Sequence, residues 1–213
     1  MSKPALVPPE EREPARVSAV VLAAGGSTRF GGPKLLAPLD WAGGRPMIRV
    51  VVERVLGADV AEVIVVTGCE EAKVQQALAG LPIRIAPNPE RATGLSSSLR
   101  AGLSRLSAGS DAALFVLGDQ PGVSTGVLDA LIARYRAVRT PIVAPVCRGR
   151  RGNPALFDRC TFDALRRIEG DQGGRALIDS GCFVVDTVQV DDPSILWDVD
   201  RPEDLRAPAR PRE

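Results

Sequence analysis

An α/β domain built on a mostly parallel sheet is the fold class this sequence predicts, and three observations predict it. Short apolar runs rich in Val, Ile, Leu and Ala recur along the chain, too short for helices and suited to strands. They lack a strict apolar/polar alternation, as strands buried on both faces do. Between them lie longer segments with apolar residues at helical spacing, so the order is βαβα, which right-handed crossovers turn into a parallel sheet.

Length and composition fit one such domain. The 213 residues are 45% hydrophobic, enough for a full core. Residues 1–16 are rich in Pro, Glu and Arg and read as a disordered extension; 17–206 form the domain, and 207–213 a disordered tail. A formal charge of +1 supplies no basic field for nucleic acid and no polybasic tract for a membrane, and 4% aromatics leave few stacking platforms. The expected location is the cytoplasm, where Cys69, Cys147, Cys160 and Cys182 would be free thiols. The histidine count is zero, which removes Ser-His-Asp and Cys-His chemistry. Catalysis here must run on carboxylates, cations, backbone amides or a metal.

The elements follow in order. Residues 17–22 (VSAVVL) read as the first strand, opening into AAGGSTRFGGPKLL. Residues 46–56 read as a helix with Pro46 suited to its first turn, 61–67 as a strand and 70–79 as a helix. A third strand at 83–86 leads into the turn-rich 87–94 and a helix from about 95 to 106. Strand 112–117 runs straight into GDQP, then come helix 127–138 and strand 142–146. RGRRG at 148–152 reads as a hairpin turn into a short strand at 155–157, followed by helical patterns at 158–168 and 175–179 and a late strand at 182–190.

In parallel sheets ligands sit beyond the carboxyl ends of the strands. The first loop is the strongest candidate there. Gly25, Gly26, Gly31 and Gly32 permit close backbone approach, while Ser27, Thr28, Arg29 and Lys34 add hydroxyls and cations, so the loop reads as an anion cradle. Thr67 and Gly68, Asn88 to Ser98, and Gly118-Asp119-Gln120-Pro121 end the next strands. Asp119, one residue beyond an apolar strand, could bind a hard cation such as Mg²⁺ shared with phosphates, or could cap the connection to the next helix. Asp198 and Asp200 could reach the same cation; alternatively Asp200 with Glu203 forms a capping box, Pro202 lying in the first turn. Residues 170–175 (GDQGGR) could hold an anionic second substrate over a helix N-terminus, or Asp171 could simply cap that helix.

Together LAAGGSTRFGGPKLL, GLSSSLRAGL, GDQP, RGNPALF, GDQGGRAL and DVDRPEDL resemble the MobA-like nucleotidyltransferase family, and within it the molybdenum cofactor cytidylyltransferases. The resemblance covers nearly all of 17–205. It implies a Rossmann-like three-layer fold with one antiparallel strand in the sheet. It implies that Leu22, Ala23, Ala24, Gly25, Gly26 and Ser27 line the nucleotide, that Arg29 and Lys34 hold its phosphates, and that Thr67, Asn88 and Ser97 stand beside the base or ribose. Asp119 matches the family's magnesium aspartate, and Gly152, Asn153, Asp171, Gly173, Gly174 and Arg175 would face the pterin. Guanylyl members usually carry L-A-G-G where this chain has Leu22-Ala23-Ala24-Gly25, as cytidylyl members do. Phe30 replaces a common methionine and is expected to pack beneath the loop; Arg201 replaces a frequent threonine.

The implied reaction transfers CMP from CTP to the terminal phosphate of molybdopterin cofactor, releasing pyrophosphate, with Mg²⁺ as cofactor. A molybdoenzyme or its maturation chaperone would receive the product. Such a phosphate has a second pKa near ~6 and is largely ionised at neutral pH, so no general base is needed, consistent with the absent histidine. Arg29, Lys34 and Asp119 are then the catalytic candidates. Alternatives are a transferase using GTP or another phosphorylated acceptor, and a non-catalytic carrier of the cofactor. A dinucleotide-dependent oxidoreductase would need G-x-G-x-x-G and an acid closing the second strand, and a P-loop NTPase would need Gly-Lys-Ser/Thr; Thr67 and Gly32-Pro33-Lys34-Leu35 meet neither requirement.

Overall fold

The computed structural model describes residues 13–26 and 30–206. Its centre is β1 (Val17–Ala23), buried along its whole length. Alternate side chains serve opposite faces, Val17, Ala19, Val21 and Ala23 packing on one and Val20 and Leu22 on the other. This two-sided burial is why the run is continuously apolar. β4 (Glu62–Thr67) and β6 (Ala112–Leu117) flank it in parallel, and β5 (Arg84–Pro87) extends the sheet beyond β4.

On the other side β9 (Ala155–Asp158) runs antiparallel between β6 and β7 (Ile142–Cys147), and β10 (Val185–Gln189) closes the edge parallel to β7. The sheet order is therefore β10-β7-β9-β6-β1-β4-β5, with the two-residue β8 (Arg150–Arg151) paired antiparallel to β7. A separate small ribbon joins β2 (Pro38–Leu39) to β3 (Arg45–Pro46). One face of the main sheet is covered by α1 (Met47–Leu56), α2 (Glu71–Ala77) and α4 (Thr125–Val138), the other by α3 (Leu95–Leu103), α5 (Phe162–Arg166) and α6 (Gly174–Asp179). The expected Rossmann-like three-layer fold with an antiparallel strand is present, and β8 adds a second, short antiparallel strand.

Several boundaries differ from the expectation, each for a local reason. Ordered packing begins ahead of residue 17: Ala15 is buried, its carbonyl accepts from Arg136 Nε, and Arg16 N donates to Asp111 Oδ2 at 2.8 Å. The helix expected at 158–168 starts at Phe162, because Asp158 ends β9 and accepts from Cys160 N, capping a single 3-10 turn. The late strand starts at Val185 rather than 182, after Gly181 turns the chain at φ 69°. Pro46 is the N-cap of α1, one position before its first turn. No helix among the described residues is long and apolar enough to cross a membrane.

Candidate active site

The carboxyl ends of β1 and β6 bring Lys34 and Asp119 together. Gly118 N donates to Leu22 O at 3.0 Å, and a Cβ on Gly118 would meet that oxygen at the same distance, so the glycine holds the GDQP turn against the end of β1. Lys34, on the 3-10 turn Lys34–Leu36, then reaches Asp119 Oδ2 at 2.7 Å and Asp200 Oδ1 at 3.4 Å. Its side chain is 13% exposed, that of Asp119 26%.

The third carboxylate enters from the same C-terminal segment. Val199 N donates to Asp119 O at 2.9 Å, which places Asp198 and Asp200 on either side of that contact. Asp198 Oδ1 accepts from Gln120 Nε2. Burial, then the neighbouring Asp119 charge, push the Asp198 carboxyl above the usual carboxylate range, with the Gln120 amide opposing.

Asp119 does not cap the next helix: Ser124 caps α4, accepting from Val127 N. Nor does Asp200 pair with Glu203. The residue closing that turn is Asp204, whose Oδ2 accepts from Asp200 N and Arg201 N, leaving the Asp200 carboxylate for Lys34. Phe30 packs against the cluster of Leu39, Met47, Val50 and Val199. Ser27, Thr28 and Arg29 lie outside the described residues, so Arg29 is placed by sequence alone.

The remaining nucleotide candidates differ in what they expose. Ala23 and Ala24 are buried, while Gly25 and Gly26 are exposed. A Cβ on Gly68 would lie 2.5 Å from Ala24 O, so only glycine lets the turn after β4 lean on the first loop. Thr67 is fully buried, and its Oγ1 has no hydrogen-bond partner among the described residues. Asn88 and Ser97 are buried and committed to each other: Asn88 Nδ2 donates to Ser97 Oγ at 2.8 Å and to Ser98 Oγ at 3.0 Å, while its Oδ1 accepts from Glu90 N. They fix the loop that leads into α3 and do not present unengaged groups to a ligand.

Beside this cluster lies a cavity of about 600 Å³. The six residues expected to face a second substrate, Gly152, Asn153, Asp171, Gly173, Gly174 and Arg175, all line it, and Leu22 joins them from β1. Its walls also include Leu95, Phe115, Leu117 and Phe157, and its rim Arg150 and Arg151. The glycines here serve packing: a Cβ on Gly174 would lie 2.6 Å from Phe157 Cζ, and one on Gly152 2.3 Å from Ile195 O. Asp171 does not cap the following helix, whose N-cap is Gly173 with no side-chain cap. Sequence reasoning missed Gln120, Arg150 and Arg151; the first had a signal in GDQP, but the arginines lay in what read as a plain turn.

The family model for the MobA-like NTP transferase domain matches residues 19–187. The chain belongs to this family of nucleotidyltransferases. It is 32% identical over 204 residues to nicotine blue oxidoreductase of Paenarthrobacter nicotinovorans, covering 89% of this chain and 94% of that protein. It is 38% identical over 121 residues to 3-deoxy-manno-octulosonate cytidylyltransferase of Methylococcus capsulatus, over 55% of this chain and 44% of that one. Among solved structures, Rv0371c of Mycobacterium tuberculosis H37Rv superposes with TM-score 0.80 at 29% identity, covering 90% of this chain and 96% of that one. The same protein has also been solved in complex with manganese, and that structure superposes with TM-score 0.76 at 28% identity over 89% of this chain and 96% of the other.

A divalent cation fits the cluster by its donor chemistry. Asp119, Asp198 and Asp200 offer carboxylate oxygens around the Lys34 ammonium, and Asp198 is pushed toward protonation first by burial and then by the Asp119 charge, the second of which a cation would relieve. No group of three or more acidic or thiol side chains among the described residues could enclose an ion alone. A divalent ion here would have one or two carboxylates as protein ligands, its shell being completed by phosphates and water.

Proposed function

We propose that the protein transfers CMP from CTP to the terminal phosphate of molybdopterin cofactor, releasing pyrophosphate and forming the cytosine dinucleotide. The observation that carries this reading is Lys34 bridging Asp119 and Asp200 at the strand ends, beside a cavity large enough for a second substrate. The family supplies nucleotidyl transfer. The cytosine preference rests on Leu22-Ala23-Ala24-Gly25 and is supported by the cytidylyltransferase among the relatives. A hydride-transfer reading drawn from the other relative's name finds no G-x-G-x-x-G after β1, and Thr67 rather than an acid closes β4.

In this reaction Mg²⁺ would be held by Asp119, with Asp198 or Asp200 as the second protein ligand, and would supply charge neutralisation at the transferring phosphate. The chain's own residues do the positioning. Lys34, drawn from its carboxylates by the more highly charged phosphates, steadies the triphosphate with Arg29 and the loop amides. The acceptor phosphate is already ionised and needs no base. The task is to bring two anions together, which preorganised cations and amides accomplish.

The test is incubation with Mg²⁺, molybdopterin cofactor and either CTP or GTP, followed by assay of dinucleotide and pyrophosphate. Cytosine dinucleotide should form in preference to guanine dinucleotide. Preference for GTP overturns the base assignment, and binding of both substrates without pyrophosphate release makes the protein a carrier.

A further inference from the structure

The second-substrate cavity carries more positive charge at its rim than the sequence motifs supply. β8 contributes Arg150 and Arg151, and Arg175 enters from α6. The three arginines are not equivalent. Arg151 pairs with Asp179 Oδ1, and Arg175 Nε donates to Asp179 Oδ2 at 3.2 Å, so one carboxylate links the hairpin to α6 beside the cavity. Arg150 makes no ion pair or hydrogen bond from its side chain among the described residues.

Arg150 is nevertheless well placed by its backbone. Arg148 and Gly149 form the turn with φ of 50° and 74°, the positive pair a tight two-residue hairpin uses. Cys147 then pairs with Arg150 in the ladder. The other end of the cavity is apolar and adjoins the reaction centre: Leu22 and Leu117 line it, are register partners, and Gly118-Asp119 follows directly. The cavity therefore has a reacting end and a cationic far end, with the aromatic and aliphatic surface of Phe115 and Phe157 in its lining.

Resting on the nucleotidyl-transfer reading, we propose that Arg150 reads a second electron-rich group of the acceptor, at the end away from the reacting phosphate. The Arg151–Asp179–Arg175 link is a positioning device that holds the hairpin, and so Arg150, at the rim. The ligand class is a flat heterocycle with a phosphate at one end and an oxygen-bearing edge at the other. A guanidinium matches such an edge with its planar fork of donors, and an ammonium matches it less well. A bare phosphate monoester reaches the reacting end and leaves Arg150 unused.

The test compares wild type, Arg150→Ala, Arg150→Lys and Asp179→Asn. Pyrophosphate release is measured with CTP and Mg²⁺, using molybdopterin cofactor or glycerol 3-phosphate as acceptor, and equilibrium binding of the pterin acceptor is followed separately by quenching of the protein's tryptophan fluorescence. Arg150→Ala should raise the acceptor KM about tenfold or more, the effect falling on KM rather than kcat, and narrow the preference for the pterin over glycerol 3-phosphate by the same factor. Arg150→Lys should recover part of that loss. Asp179→Asn should weaken pterin binding by itself, and by much less once Arg150 is alanine. An unchanged pterin affinity in Arg150→Ala, or an equal loss for both acceptors, overturns the proposal. If no variant, wild type included, releases pyrophosphate, the transfer reading fails on its own, and the fluorescence binding still decides whether Arg150 holds the pterin.

Discussion

Lys34 sits between two carboxylates at the strand ends. With its ammonium between Asp119 and Asp200, it offsets carboxylate charge that would otherwise be concentrated at the ends of β1 and β6. Removing a preorganised group of this kind costs ~3 kcal/mol of transition-state stabilisation. Lys34→Ala and Asp119→Ala should therefore each lower turnover about a hundredfold while leaving the far-UV circular dichroism of the folded chain intact; near-normal pyrophosphate release from either would remove it from the site. Asp198 behaves differently. Its carboxyl is raised by burial and by Asp119, so its ionised form costs stability, a cost absent below the unfolded pKa and growing as pH rises through the raised folded value. Asp198→Asn keeps an oxygen for Gln120 and removes the charge. It should melt higher than wild type at neutral pH in metal-free buffer, yet respond more weakly to Mg²⁺ in the activity assay. How much of this is legible in sequence depends on the chemistry of each residue. Asp119 and Lys34 are visible because glycine turns at strand ends single them out. Arg150 is hidden because an arginine in a hairpin turn looks like an ordinary solvated charge, and only the cavity behind it says otherwise. Asn88 and Ser97 are visible as polar residues in a turn-rich segment, but their mutual hydrogen bonds need the folded loop to be seen.

Among the elements, α3 and the N-terminal edge of the sheet set the tolerances. A Cβ on Gly102 would lie 2.4 Å from Val20 Cγ1, so α3 sits closer to β1 than any side chain permits. Alanine has the better helix propensity, worth at most about 1 kcal/mol, whereas overpacking against a stiff valine costs about 1–3 kcal/mol. Gly102→Ala should thus lower the midpoint of denaturant unfolding; a raised midpoint would mean that the helix shifts freely. At the opposite end of the strands from the site, Glu62 joins β4 to its surroundings. Its Oε1 accepts from Ser18 Oγ and Ser107 N, each at 2.8 Å, and its Oε2 from Arg84 at 2.8 Å and Ser107 Oγ at 2.9 Å. Burial pushes this carboxyl up, but the Ser107 amide, the Ser18 and Ser107 hydroxyls and Arg84 together outweigh it, and the carboxyl titrates at about 2. Its stabilising contribution is complete above the ordinary glutamate range and is lost as pH falls toward about 2. Glu62→Gln should cost about 1–3 kcal/mol at pH 7 and flatten the acid limb of the stability profile, read from urea midpoints between pH 5 and 2. The parallel strands were legible because apolar runs buried on both faces have few alternatives. The start of α5 was not, since Asp158 spends its carboxylate on Cys160 N and on the Tyr135 hydroxyl, contacts that end a strand where the spacing alone begins a helix.

At the scale of the whole molecule, the site depends on a small second core outside the sheet. Leu39, Met47, Val50 and Val199 are buried together, with Phe30, Trp41, Trp197 and Leu205 packed around them, and Trp41 Nε1 donates to Leu205 O at 3.0 Å. This cluster clamps the C-terminal segment against α1 and the β2–β3 ribbon, and so sets where Asp198 and Asp200 stand relative to Asp119 in the turn after β6. Sequence showed the acidic DVDRPEDL motif but not its anchor, because Val199 alone between two aspartates carries no periodicity. Val199→Ala should cost about 0.5–1.5 kcal/mol through lost burial and cavity formation, small against the stability of a domain of this size. Its effect on function should be larger than its effect on stability. With the segment loosened, the two aspartates no longer hold one geometry, and a 1 Å misplacement at a reacting centre can cost a hundredfold. Both tryptophans of the chain, Trp41 and Trp197, lie in this cluster, so their fluorescence reports its packing while far-UV circular dichroism reports the sheet and helices. In Val199→Ala the fluorescence transition on heating should precede the circular dichroism transition, and the Mg²⁺ concentration for half-maximal turnover should rise with the CTP KM changed less. Coincident transitions with an unaltered Mg²⁺ requirement would show that the aspartates are held by the Val199 N to Asp119 O contact and not by the cluster.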